Sequence, residues 1–170
     1  MILCDVEILA LCTEGLVDPF DPAMINPASL DVRLGQNLLV EWEAGPELRE
    51  FSLAGYTEDR PFLLPPGEFV LAETVETFFF PSFLAGQFAL KSSRARQGIE
   101  HLMAGYCDPG WQGSKLTLEL QNARQLHPVK LWPEMRIGQM VFHRMSQTPA
   151  EDYSITGRYN FDQKVTGAKP

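Results

Sequence analysis

Three short stretches carry the side chains from which chemistry could be built. KSSRARQG, residues 91 to 98, sets Lys91, Arg94 and Arg96 around the hydroxyls of Ser92 and Ser93. Guanidinium forks, an ammonium and hydroxyls can together satisfy several oxygens of a phosphate chain. The GxxxxGK[ST] spacing of a Walker A loop is absent, and the same residues also read as an ordinary basic loop on an acidic protein. AGYCDPGW, residues 104 to 111, puts Asp108 ahead of a Pro-Gly turn. An aspartate there commonly fixes the turn through backbone hydrogen bonds, and otherwise binds a hydroxyl, a metal or a water. Trp111 is expected as a buried core indole. In LTLELQN, residues 116 to 122, Leu116, Leu118 and Leu120 alternate with Thr117, Glu119 and Gln121. A strand turns the leucines to the core and the other three to the opposite face. That face either meets water or lines a pocket, and in a pocket Glu119 becomes a general acid and base.

Other chemistries find little support. His101, His127 and His143 lack paired metal-ligand spacing, and the H-x-E with P-C-x-x-C signature of zinc deaminases is missing. No G-x-S-x-G occurs, and neither Ser92 nor Ser93 has an assignable histidine partner.

The elements that must position these residues are mostly strands. Thirteen prolines and 13 glycines divide the 170 residues into short segments, a pattern of many strands and turns. Strands are predicted at 30–34, 37–42, 68–77, 84–90, 115–122, 129–131 and 137–145. Pro46, Pro65-Pro66-Gly67, Pro81, Pro109-Gly110 and Pro133 separate them, as in a sandwich or barrel. One short helix is expected at the start, capped by Asp5, carrying Ile8, Leu9, Leu11 and Cys12 and ended by Gly15. From Thr148 onward the chain is polar with Tyr153, Tyr159 and Phe161 embedded, and is expected to be a mobile arm that orders on a ligand.

Bulk properties bound the partners. The length fits a single domain, residues 1 to 170, with about 148–170 as the tail. A net charge of −8 disfavours broad nucleic-acid binding but leaves room for a small anion at a local basic cluster. Three widely spaced cysteines, Cys4, Cys12 and Cys107, fit neither a disulfide framework nor a Cys-x-x-Cys clamp. No signal pattern and no membrane-spanning apolar run is seen. A cytoplasmic protein is the expectation.

Six strings in order, INPASLDVRLG (25–35), KSSRARQGI (91–99), AGYCDPGWQG (104–113), LTLELQN (116–122), MRIGQMVF (135–142) and RYNFDQKVTG (158–167), resemble the dCTP deaminase family within the trimeric dUTPase superfamily. The resemblance implies a mainly β fold, a distorted jelly-roll β-barrel, in a homotrimer whose active sites lie between subunits. It implies zinc-independent conversion of dCTP to dUTP and ammonia, with Glu119 as the acid and base. Ser92 and Arg96 match the serine and arginine beside that glutamate and its water, and Lys91 to Arg96, with Ser93 and Arg94, resembles the triphosphate-binding segment. Ala104 matches an alanine whose carbonyl helps hold the water. Asp108 resembles the aspartate that binds the deoxyribose 3′-hydroxyl, and Thr117, Leu118 and Glu119 the strand that reads the base. Gln139 matches a glutamine found in many members, while Tyr153, Arg158 and Gln163 resemble tail residues that close over the nucleotide. Magnesium is expected to ride on the triphosphate rather than in a protein cage.

The chain departs from the family pattern in places. It has one residue fewer between Arg96 and Asp108 and one more between Asp108 and Glu119, so a bulge is predicted near Ser114-Lys115 to keep Glu119 on the pocket side. Met103 stands where a small or β-branched polar residue is expected, and Gln163 lies one position from the tail glutamine. Other functions remain open: a bifunctional enzyme continuing to dUMP and diphosphate, a plain dUTPase, or a non-catalytic nucleotide-binding trimer. The dUTPase reading would leave Glu119 surplus and lacks that family's Gly-rich C-terminal motif.

Overall fold

A computed structural model describes residues 1–169; Pro170, the end of the expected tail, lies outside the described residues. The chain opens with helix α1 (Asp5–Thr13) and continues through β1 (Val17–Asp18), β2 (Ile25–Asn26), β3 (Ser29–Trp42), β4 (Gly45–Ser52), β5 (Phe62–Leu64), β6 (Phe69–Phe79) and β7 (Leu84–Leu90). Helix α2 (Ser92–Ala95), β8 (Ile99–His101), β9 (Tyr106–Cys107), β10 (Gln112–Asn122), β11 (Val129–Leu131), β12 (Arg136–Arg144) and α3 (Tyr153–Thr156) complete it. The predicted helix is present, but its cap is Cys4, not Asp5. The Glu7 carboxylate accepts from the Cys4 backbone N–H at 3.2 Å, and Asp5 occupies the first helical turn. A carboxylate three residues past the cap reaches back to the cap's N–H, which an acid at the first helical position cannot do.

Ten strands form one curled antiparallel sheet in the order β8-β10-β6-β3-β12-β7-β9, with β1 branching from β6 and β2 and β4 from β3; β5 and β11 form a separate ribbon. The mainly β, distorted-barrel expectation holds. β3 joins the two halves: its first part pairs with β12 and its second with β6 and β4. The sequence reads as two strands, 30–34 and 37–42, because Gly35-Gln36 interrupts the apolar pattern. In the fold the strand runs through as a bulge, the three residues between Leu34 and Leu38 facing the single Glu73 of β6, which lets the sheet bend. β4 was not anticipated, since its residues show no buried alternation.

The core fills the inside of this curl. Phe78, Phe80 and Phe142 are fully buried. Phe78 stacks on Trp111 at 5.9 Å between ring centroids and Phe80 packs on Phe142 at 5.8 Å. Trp111 is a core indole as expected, 6% exposed. Among the described residues no helix is long and apolar enough to cross a membrane.

Candidate active site

The alternation in β10 decides which side chains are available for chemistry. Leu116, Leu118 and Leu120 are buried, while Lys115, Thr117 and Glu119 are half-buried on the opposite face. That face forms one wall of a 590 Å³ pocket that also takes in Ala104, Asp108 and Trp111 from the preceding turn and Tyr153, Tyr159 and Asp162 from the tail. Glu119 therefore lines a pocket rather than open surface.

The shifted spacing is absorbed before the glutamate. Gln112 pairs with Phe79 and Ser114 with Phe78, so Gly113 is the extra residue of β10. It adopts φ +61°, and a Cβ there would lie 2.7 Å from the Phe161 ring; a left-handed backbone under an aromatic ring requires glycine. The bulge falls one residue before the predicted Ser114-Lys115. A second irregularity follows between Lys115 and Thr117, where β6 holds the excess. There Thr74 Oγ1 accepts from the Leu116 N–H at 3.0 Å and donates to the Glu76 carbonyl at 2.7 Å. From Thr117↔Glu73 to Gln121↔Phe69 the ladder is regular.

The group that meets Glu119 within the chain is His101, whose Nε2 lies 3.3 Å from Glu119 Oε2. Both atoms are shut off from solvent, and neither makes a hydrogen bond to a described residue. In the sequence the histidine shows only that it lacks a metal-ligand pair. Nothing in its spacing marks it, because the contact depends on β8 pairing with β10.

The tail lines the pocket and binds to β10, to Trp111 just before it and to β6. The Trp111 indole N–H and the Ser114 hydroxyl both donate to the Tyr159 carbonyl, at 2.8 and 2.7 Å. The Lys115 N–H donates to the Asp162 carbonyl at 2.8 Å. The Val165 N–H donates to Glu73 Oε2 at 2.8 Å, and the Thr166 N–H to Thr117 Oγ1 at 3.3 Å. Gln163 donates its side-chain amide to the Gly113 carbonyl, and Arg158 accepts at its carbonyl from Lys169 at 2.9 Å. Lys169 also pairs with Asp162 at 2.7 Å. Tyr159 and Asp162 join the pocket without having been singled out as site residues, since a lone acid in a polar tail carries no motif.

The basic segment stands elsewhere on the protomer. Lys91 pairs with the buried Asp31 at 2.6 Å, and Arg94 donates to the Arg136 carbonyl at 3.0 Å while its guanidinium covers Trp132. Gln139 accepts from the Ser29 hydroxyl at 3.0 Å. Ser92, Ser93 and Arg96 are exposed, and none of them lines the pocket. Leu118, expected at the nucleotide, is fully buried, so only its backbone can face a base. The expected Arg96 support of Glu119 is thus not made inside one protomer, where His101 takes that place. The basic loop that the resemblance puts beside Glu119 does not line this protomer's pocket.

The electrostatics follow. The described lining residues include Asp108, Glu119 and Asp162 against one cation, Lys115, whose ammonium lies 3.5 Å from Glu73. This wall can bind hydroxyls and a base edge, but its charge opposes a polyphosphate. Burial, with the Asp108 carboxylate adding to it, pushes the Cys107 thiol well up, so it is no thiolate nucleophile at neutral pH.

Comparison with known proteins identifies the family and the fold. Residues 2–145 match the family model described as dCTP deaminase-like. A protein of Acidothermus cellulolyticus named dCTP deaminase, dUMP-forming, is 46% identical over 162 residues, covering 89% of this chain and 83% of that one. A protein of the same name from Corynebacterium efficiens is 39% identical, covering 99% of this chain and 94% of that one. One from Streptomyces coelicolor is 42% identical over 94% of this chain and 87% of its own. In fold, the chain is similar to the 2′-deoxycytidine 5′-triphosphate deaminase of Agrobacterium tumefaciens, with a TM-score of 0.68 at 22% identity, over 84% of this chain and 47% of that longer one.

Proposed function

Because the chain belongs to the dCTP deaminase-like family, we propose that it is a hydrolase that removes the 4-amino group of dCTP, with Glu119 as the single acid and base. The observation that carries this reading is the position of Glu119: half-buried on a pocket wall, on the same face as Thr117, with Ala104 and Asp108 across the same cavity. Glu119 takes a proton from a water, the hydroxide adds to C4, and the carboxyl returns protons to the ring and the departing ammonia. One water is consumed, and dUTP and ammonia form.

The shared name of the relatives supports a second step. A further water attacks the α-phosphorus, with Asp108 at the sugar side, and diphosphate leaves. Overall, dCTP and two waters give dUMP, ammonia and diphosphate. This favours the coupled reaction over one that stops at dUTP. Magnesium, in this reading, travels on the triphosphate oxygens and offsets their charge. Among the described residues no three His, Cys, Asp or Glu side chains converge as a cage, so no protein ligand is assigned to the ion.

The shortage of cations on the pocket wall supports the remaining part of the proposal. The site is completed by a second copy in a homotrimer, whose exposed Ser92, Ser93 and Arg96 meet the nucleotide held by the first. The test is to follow ammonia and diphosphate from dCTP with magnesium, then to mix two inactive variants. Equal yields of ammonia and diphosphate are expected; ammonia alone restricts the reaction to the first step. Arg96→Ala and Glu119→Gln should each be inactive, yet regain a fraction of activity when refolded together, since some sites then hold both intact residues. No recovery from mixtures shown to contain both chains in one oligomer would sink the shared site.

A further inference from the structure

We propose that His101 is the positioning residue of Glu119, holding one carboxylate oxygen so that the other faces the reacting water; this rests on the assignment of Glu119 above. His101 ends β8, the edge strand that pairs with β10. It stands opposite Leu120, and the next N–H, from Leu102, donates to the Glu119 carbonyl at 3.2 Å. The backbone thereby fixes the separation of the two side chains. Their facing atoms, His101 Nε2 and Glu119 Oε2, are 3.3 Å apart, both inaccessible to solvent and both without another hydrogen-bond partner among the described residues. Two buried orphans in contact are an uncommon pair, since buried polar atoms are nearly always satisfied. A small rotation completes a hydrogen bond between them.

The imidazole is also prevented from turning elsewhere. The Phe88 ring lies against it at 4.8 Å between centroids, tilted by 54°. On the loop side, Gly105 approaches so closely that a Cβ there would sit 3.4 Å from His101 Cε1 and 2.8 Å from Phe88 Cβ. His101 itself is only 6% exposed. Filling space would need no more than an apolar ring of this size. A ring nitrogen aimed at a carboxylate oxygen is what a space filler does not supply.

With a proton on Nε2, His101 donates to Oε2. Oε1 is left to accept the proton of the water, and the plane of the carboxylate is set by the histidine. No proton leaves His101 at any stage, so the balance of the reaction is that of Glu119 alone. Groups that orient a reacting side chain in this way change turnover more than binding.

The experiment compares His101→Phe and His101→Met, which fill space without a donor, with His101→Gln, whose amide nitrogen can reach the same oxygen. Ammonia release, direct binding of dCTP and thermal unfolding are measured for each, beside wild type and Glu119→Gln. A fall in kcat of about 10- to 100-fold is expected for Phe and Met, the range seen when an orienting outer partner is lost. KM should change little, and Gln should recover most of the loss. Equal kcat in wild type and the donor-free variants overturns the inference, as does a Gln variant no better than Met. If the Phe variant does not fold, Met against Gln decides. An active Glu119→Gln protein brings down the acid-base assignment and this inference with it, whereas an inactive one beside a fully active His101→Met removes His101 alone.

Discussion

Glu76 and Glu119 lie on neighbouring strands, β6 and β10, and the fold treats them in opposite ways. Glu76 is 2% exposed, and Arg33 satisfies it twice, through the side-chain Nε at 2.7 Å and the backbone N–H at 2.9 Å. Arg33 in turn pairs with Glu134 at 2.6 Å. Asp31 and Glu73 follow the same rule: Asp31 takes Lys91 at 2.6 Å and Asn26 at 2.8 Å, and Glu73 takes Asn37 at 2.7 Å and the Val165 N–H at 2.8 Å. Among the carboxylates of the described residues, Glu119 alone keeps a buried oxygen without a hydrogen bond. Glu73, Glu76 and Asp31 are supplied with donors, while Glu119 on the pocket wall is left with spare accepting capacity. A local breach of polar satisfaction in an otherwise consistent fold is where function is expected.

The comparison can be broken most sharply at the two glutamates themselves. Glu119→Gln should lower the ammonia-forming kcat by about 10²- to 10⁴-fold, the usual contribution of a general acid and base. Its Tm should be unchanged or higher, because no saturated network is disturbed; steady-state kinetics and calorimetry check both. Arg33→Met should do the reverse. Removing one partner of a buried pair costs about 3 to 5 kcal/mol, here by stranding Glu76, while kcat measured well below the lowered Tm stays near wild type.

The pH dependence of that second variant has a definite sign. Burial already pushes the Glu76 carboxyl above its ordinary range, against the pull of Arg33 and the backbone N–H. Without Arg33 the shift grows, so the ionised form is the disfavoured one. The stability deficit of Arg33→Met should therefore be largest above the folded carboxyl's titration and shrink as the pH is lowered through it. Denaturant curves across that range measure it, and a deficit that grows on acidification would mean Glu76 is not the stranded group.

The smallest effect is expected where a saturated carboxylate holds the tail. Glu73→Gln keeps an acceptor for Val165 but loses the charge on a hydrogen bond that, to an ionised group, contributes about 1.5 to 3 kcal/mol. Tail docking should weaken, with KM for dCTP raised severalfold and faster limited proteolysis after residue 158, at little change in kcat. Unaltered KM and proteolysis would detach Glu73 from the arm.

Much of the fold was legible along the chain because strand parity is a local property. The ends of β7 and β11 fall where predicted, and the buried alternation of β10 follows its leucines. The bulge was anticipated from the departure from the family's spacing, which the resemblance supplied, and is found one residue away, at Gly113. β8 and β9 were not legible: they have three and two residues, too few to show a period, and neither lies between two flanking prolines as the similarly short β11 does. The contacts of Lys91 and Arg94 were not legible either: their chemistry suits phosphate, and within the protomer Asp31 and Trp132, distant in sequence, lie against them.

The residue order by itself determined that Glu119 stands opposite the leucines of its strand, and that the tail holds aromatic residues able to cover a pocket. Side-chain alternation and composition need no knowledge of neighbours. Only the tertiary structure decided what Glu119 meets. That depends on the register between β8 and β10, on Phe88 and Gly105 closing around His101, and on the tail binding back to its own strand. Such contacts arise from pairing segments far apart along the chain, where no local period carries the information.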